Sequence, residues 1–215
     1  MYGRHSQTPT ASGDVLPYAP YVEVEICRAG PERWTELASL LGRAFVTEPM
    51  MRWPLGEHDR IDERFVRCFE YFLEDLGDRA LVHEAGVVAG AAIWIPAEHE
   101  DALESAQTQA RMHALTEDGG RRFDAFWSWV EAQRTHESLW HLDSVAVKPA
   151  LQGRGIGRAL IEHGLTHARA ASSGVLLETG SVRNVPLYER IGFRTYLAAE
   201  APGDGPHIWF MRWDP

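Results

Sequence analysis

A chain of 215 residues that is 45% hydrophobic and 24% charged is long enough to bury a full core without covalent staples, and it reads as an ordinary globular protein. Its formal charge of −10 is the wrong sign for a general nucleic-acid binder, which needs a basic face, and mildly favours a cationic small substrate. No run of 18 apolar residues predicts a membrane span, and the two cysteines, Cys27 and Cys68, read as buried reduced thiols in a reducing, cytoplasmic setting.

Taken in chain order, residues 1–20 are rich in Ser, Thr, Pro and Gly, lack the apolar stretch of a signal peptide, and read as a disordered leader before a single domain over 21–215. Residues 22–28 alternate as a strand. Residues 32–45 place Trp34, Leu37, Ala38, Leu41 and Phe45 at helical spacing. Residues 47–59, with two prolines and a glycine, read as a loop. Residues 61–76 carry an apolar stripe of Ile61, Phe65, Cys68, Phe69, Phe72, Leu73 and Leu76, and form the clearest helix.

Residues 80–84 and 87–95 follow as a hairpin turning at Ala85-Gly86, ended by Pro96. Residues 98–136 read as helical, broken at Gly119-Gly120, and aromatic in their second part. Residues 139–147 form a strand, 155–171 a helix, 175–178 a strand, 185–191 a short helix, and 193–198 and 207–213 two last strands. The pattern is a mixed α/β (α+β) domain with a hairpin-rich first half and a strand-helix-strand-helix second half.

The densest chemical signal is Gln152-Gly153-Arg154-Gly155-Ile156-Gly157-Arg158, where a strand ends, glycines alternate and an amphipathic helix begins. Glycine lets the backbone turn tightly and approach a ligand. The unpaired N–H groups and the dipole of a helix start then favour a pyrophosphate. A dinucleotide fingerprint fails, because its last glycine would fall on Arg158 or Leu160, although Glu178 mimics the ribose-binding acid. No P-loop string occurs.

The first six residues of that segment, Gln152 to Gly157, resemble the Q/R-x-x-G-x-G/A motif of the GNAT acetyltransferases. Val145-Ala146-Val147-Lys148-Pro149 before it is similar to the V-x-P strand end of that family. Asn184 through Tyr188 to Gly192-Phe193 is similar to its segment of an asparagine followed by Y-x-x-x-G-F. The resemblance covers residues 139–193. It implies the GNAT fold: a mixed, mostly antiparallel sheet splayed between two parallel strands, with helices on both faces and here a helical insertion at 98–136.

It further implies acetyl-CoA as co-substrate, with the pantetheine arm along Val145, Ala146 and Val147 and beside Asn184. The pyrophosphate would rest on Gln152, Gly153, Arg154, Gly155, Ile156, Gly157 and Arg158. Tyr188 takes the position of a general acid for the leaving thiolate. His141 and Asp143, placed with Val145 on one face by simple alternation, and Glu178 on the neighbouring strand are candidate bases. The activity implied is acetyl transfer to the primary amine of a small molecule by direct attack. A non-catalytic acyl-CoA sensor and a protein acetyltransferase are the alternatives.

Glu48 and Trp53 from the expected loop and Trp127 from the insertion are candidate acceptor-site residues, with Phe123, Phe126 and Trp129 as further wall. Family analogy also suggests a homodimer paired through the aromatic C-terminal strand. His163 and His167 stand four apart on a helix, a ligand spacing, but the sequence offers them no third partner, and no metal is expected.

Overall fold

The structure, a computed structural model, describes residues 24–57, 60–86, 88–102 and 105–215. The expected leader lies outside the described residues, as do Val22 and Val87 of the expected strands. Among the described residues seven strands form one sheet: β1 (Ile26–Arg28), β2 (Leu81–Ala85), β3 (Gly90–Ile95), β4 (Trp140–Val147), β5 (Val175–Thr179), β6 (Arg194–Glu200) and β7 (His207–Trp213). They lie in the order β1-β2-β3-β4-β5-β7-β6, all antiparallel except β4 with β5.

Helices cover both faces. α1 (Trp34–Phe45) and α3 (Ile61–Leu76) lay Leu37, Leu41, Phe69 and Leu73 on Val82, Ala91, Ile93 and Ile95. α6 (Ile156–Ala170) and α7 (Val185–Ile191) close the opposite face, where Leu160, Ile161, Leu165 and Tyr188 meet Trp94, Leu142 and Leu177. Each helix buries the stripe its sequence period defines, so the core is two apolar layers separated by the sheet.

The helical insertion resolves into α4 (Ala106–His113) and α5 (Arg121–Gln133). α4 docks Met112 against Phe65 and Cys68 of α3, and α5 sets Phe126 and Val130 on Ile208 and Phe210 of β7. Residues 47–59 are not simply a loop: α2 (Pro49–Leu55) forms there. Pro49 occupies the first helical turn, where a missing N–H is no loss, and Pro54 falls at the very end, so neither proline breaks it.

Cys27 is exposed rather than buried, because β1 is a short edge strand; Cys68 is buried as expected. The C-terminal strand β7 lies between β5 and β6, so the free edge on that side belongs to β6.

The feature that shapes the centre is in β4. Its register with β3 runs Trp94 to Leu142 and then Ile93 to Ser144, which leaves Asp143 as the extra residue of a bulge. A bulge bends its strand and flips the alternation. Accordingly Leu142, Val145 and Val147 face the α6 layer, while Ala146 packs in the α1 and α3 layer. His141 and Val145 therefore do not share a face, contrary to simple alternation. The parallel ladder of β4 and β5 holds only at Trp140 with Val175 and His141 with Leu176, after which the strands part.

Candidate active site

The parted strands open a cavity of about 820 Å³. One side is β4 from Leu142 to Val147, whose edge toward β5 has no ladder partner beyond His141. Asn184 and Tyr188 at α7, Thr179 at the end of β5 and Ser181 after it form the next side. Glu48 and Met51, Phe69 and Phe72, and Phe123, Trp127 and Glu131 close the rest from α2, α3 and α5.

At the end of β4, Pro149–Leu151 makes a 3₁₀ turn and Gln152 donates from Nε2 to the Val147 carbonyl at 3.2 Å. Gly153 and Gly155 then adopt φ of 76° and 84°. L side chains rarely enter that region, so the alternation of glycines is what the turn requires. Gly155 is the N-cap of α6 and no side chain caps it, so the first-turn amides are left for another acceptor. Beside them, Arg158 pairs with Glu162 at 2.7 Å on the exposed helix face.

A buried ion network crosses the floor. The Arg134 guanidinium donates to both Glu178 oxygens, at 2.8 and 3.1 Å, and His141 Nε2 lies 2.7 Å from Glu178 Oε2. Side-chain exposures are 7% for Arg134 and 2% for Glu178, so water hardly screens the pair. Burial alone would raise the Glu178 carboxyl, but Arg134 and then His141 outweigh it and hold it far below the usual carboxylate range. Burial likewise opposes the Arg134 charge, and Glu178 more than offsets it. A carboxylate held down in this way is a poor proton acceptor.

Three other groups are tuned the opposite way. Burial pushes the Tyr188 phenol up, and the Glu48 charge pushes it further, so it stays protonated. Half-buried Glu48 is raised by burial, partly countered by the Gly180 N–H that it accepts at 2.8 Å. Asp143, accepting from the Ser144 hydroxyl at 2.7 Å, is also raised by burial. A phenol kept neutral beside carboxylates with weakened acidity is an arrangement for moving protons.

Residues 109–195 match the family model described as an acetyltransferase (GNAT) domain. The fold is similar to that of a solved histone acetyltransferase HPA2 and related acetyltransferase from Corynebacterium glutamicum. The TM-score is 0.65 at 22% identity, covering 90% of this chain and 97% of that one. Residues 109–195 thus carry a GNAT acetyltransferase domain match, and the whole chain shares the fold. A solved agmatine N-acetyltransferase mutant superposes with a TM-score of 0.61 at 16% identity, covering 90% of this chain and 100% of that one.

Among named relatives, the mycothiol acetyltransferase of Streptomyces avermitilis is 32% identical over 85 residues, 38% of this chain and 27% of that protein. The glucosamine 6-phosphate N-acetyltransferase of Trypanosoma brucei brucei is 30% identical over 63 residues, 29% of this chain and 43% of that protein. The chain thus spans less than half the length of either relative.

In the structure the sequence-predicted residues divide clearly. Asp143, Val145, Ala146, Val147, Gln152, Glu178, Asn184 and Tyr188, with Glu48 and Trp127, line one cavity. Gly153, Arg154, Gly155, Ile156, Gly157 and Arg158 continue from Gln152 around the turn into α6. His141 is not in the wall but behind Glu178. Trp53 is away from it, packed on Phe126 at 5.8 Å.

Phe123 lines the cavity, while Phe126 and Trp129 serve the packing on β7. Sequence reasoning missed Arg134, Arg183 and Ser144. Arg134 carries no local signature, since its role comes from a carboxylate 44 positions away. Arg183 stands next to Asn184 in the matched segment, which was the one available cue.

Proposed function

We propose that this protein is an acetyl-CoA-dependent N-acetyltransferase acting on the primary amine of a small, cationic molecule. The observation that carries the reading is one cavity in which the unpaired β4 edge meets the neutral phenol of Tyr188, with Gln152 in its wall leading directly into the uncapped start of α6. The donor set fits the co-substrate: backbone amides at a positive helix end suit a pyrophosphate, and a free strand edge suits the amides of a pantetheine arm. Gln152 and Asn184 flank that path.

Within this reading, binding aligns the amine and the thioester carbonyl, and most of the acceleration comes from that alignment. Glu48, with a raised carboxyl and one oxygen engaged by Gly180, accepts the amine proton directly or through one water. The nitrogen bonds to the carbonyl carbon, the carbon–sulfur bond breaks, and Tyr188 supplies a proton to the departing thiolate. Asp143 and the Glu178–Arg134 pair shape the acceptor end, and His141 positions Glu178.

Acidic groups at Glu48, Glu131 and Asp143, with the formal charge of −10, favour a cationic acceptor. The Trp127 indole N–H in the wall has no partner among the described residues, which suits an acceptor that also carries an oxygen.

The test is calorimetric titration with acetyl-CoA, followed by an amine panel read by thiol release. Binding with amine-dependent release supports the transferase. Binding with no release from any amine favours the acyl-CoA sensor or a protein acceptor, and no binding removes the reading altogether.

A further inference from the structure

On the α6 face of the sheet, outside the acetyl-transfer cavity, three histidines converge. His163 and His167 lie one turn apart on α6. The sequence offered no third partner for them, but the fold supplies His83 from β2. Its side chain points toward α6, because its register partner Ala92 belongs to the α6 core layer. Gly164 lets the helix come this close. A Cβ there would sit 2.0 Å from the Trp94 indole, so a larger residue would lift α6 away from the sheet.

The rings lie 4.6 Å (His83 to His163), 5.3 Å (His83 to His167) and 5.4 Å (His163 to His167) apart. One ring nitrogen from each is within 4.8 Å of those of the other two. His83 is only 3% exposed, and its buried Nδ1 has no hydrogen-bond partner among the described residues. An unpaired buried ring nitrogen is a standing cost that a ligand removes.

We propose that His83, His163 and His167 form a binding site for one divalent cation of the zinc type, with water completing the shell. Imidazole donors select zinc, cobalt, nickel or copper over magnesium or calcium, which need oxygen ligands. A tetrahedral shell with metal–nitrogen bonds of about 2.0–2.1 Å places its nitrogens about 3.3 Å apart. The ring nitrogens must therefore close by up to about 1.5 Å, a change that side-chain rotations of the partly exposed His163 and His167 provide. Arg28 stands opposite His83 in register and adds positive charge, which weakens cation binding. The expected affinity is thus about micromolar rather than nanomolar. The bound ion would pin α6, which carries the glycine turn at its start, to β2.

The test uses the full chain without an affinity tag, stripped with a chelator. Cobalt(II) is titrated while the visible band of a tetrahedral site is followed, and zinc(II) is scored by thermal unfolding. The expected result is one equivalent bound at about micromolar Kd, with a zinc-dependent rise in Tm of several degrees.

In His163→Gln/His167→Gln, which leaves the buried His83 in place, binding should weaken at least about 30-fold, removing about 2 kcal/mol. The metal-free Tm and acetyl-CoA binding of this variant should be unchanged, which checks its folding. The single variant His167→Gln serves if the double variant does not fold. No saturable binding below millimolar would overturn the proposal and leave the three rings as an aromatic stack. Binding of equal strength in the variants would also overturn it, placing the metal on others of the ten histidines in the chain.

Discussion

The side of the cavity suited to a CoA thioester and the side suited to its acceptor are built from different materials. The first is mostly backbone: the edge of β4 beyond His141 and the uncapped amides that start α6. The second is side chains brought from four places, namely Glu48 before α2, Trp127 and Arg134 around α5, Asp143 on the β4 bulge and Glu178 on β5. Backbone offers the same groups whatever the sequence, provided glycine permits the turn. Side chains change chemistry with every substitution. The thioester side should therefore fail through conformation, and the acceptor side through charge.

The sharpest probe lies where the two sides meet. Tyr188→Phe keeps the ring that packs on Phe193 and removes only the hydroxyl. Turnover should fall about 10²- to 10⁴-fold, or about 3–5 kcal/mol, with acetyl-CoA affinity held within about threefold. Unchanged turnover would take the proton-donor role from Tyr188.

Next in size is the buried charge on the acceptor side. Arg134→Met leaves Glu178, at 2% side-chain exposure, without its guanidinium and with only His141 beside it, and urea denaturation should show a loss of about 3–5 kcal/mol. Because the Glu178 carboxyl is held below its ordinary 4.5, its stabilisation is fully present above that pH and fades as pH falls toward the folded-state value. The gap between wild type and Arg134→Met should therefore narrow below pH 4.5. A loss under about 1 kcal/mol would mean that water reaches the pair and the acceptor side is not charge-limited.

Smaller effects separate the candidate bases. Glu48→Gln and Asp143→Asn each remove a carboxyl that burial has raised. A base with a raised pKa is active only above it, so kcat/KM should climb with pH through a limb above the ordinary carboxylate range. Glu48→Gln should flatten that limb and lower kcat/KM about 10²-fold, while Asp143→Asn should keep it and lose about tenfold. The reverse pattern would move the base to the bulge.

The sequence disclosed the backbone side far better than the acceptor side, for a physical reason. Helices α3 and α7 appear at their observed bounds because their apolar stripes and flanking breakers are local. The turn from Gly153 to Gly157 was visible because glycine spacing is itself the conformational requirement. Asp143 was readable as a candidate, but its orientation was not, since a bulge is a relation between two strands. α2 was hidden by prolines whose effect depends on where in a helix they fall. Arg134 and His83 could not be found at all, because each acquires its role from a partner on a distant element.

The last pair of variants tests whether the thioester side really is a backbone device. Gly155 holds φ 84°, and a valine there would strain the N-cap by about 1–2 kcal/mol and tilt the first-turn amides. Gly155→Val should raise KM for acetyl-CoA about tenfold or more at nearly unchanged kcat. Arg158 must leave Glu162 to reach a pyrophosphate, giving up an exposed pair worth about 0.3–0.5 kcal/mol. Its net contribution is consequently small. Arg158→Ala should raise KM no more than about threefold, an effect that shrinks further with added salt. Steady-state kinetics at two ionic strengths ranks the two variants. If Arg158→Ala were the more damaging, the pyrophosphate would be held by a side-chain charge, and the contrast between the two sides of the cavity would fail at its strongest point.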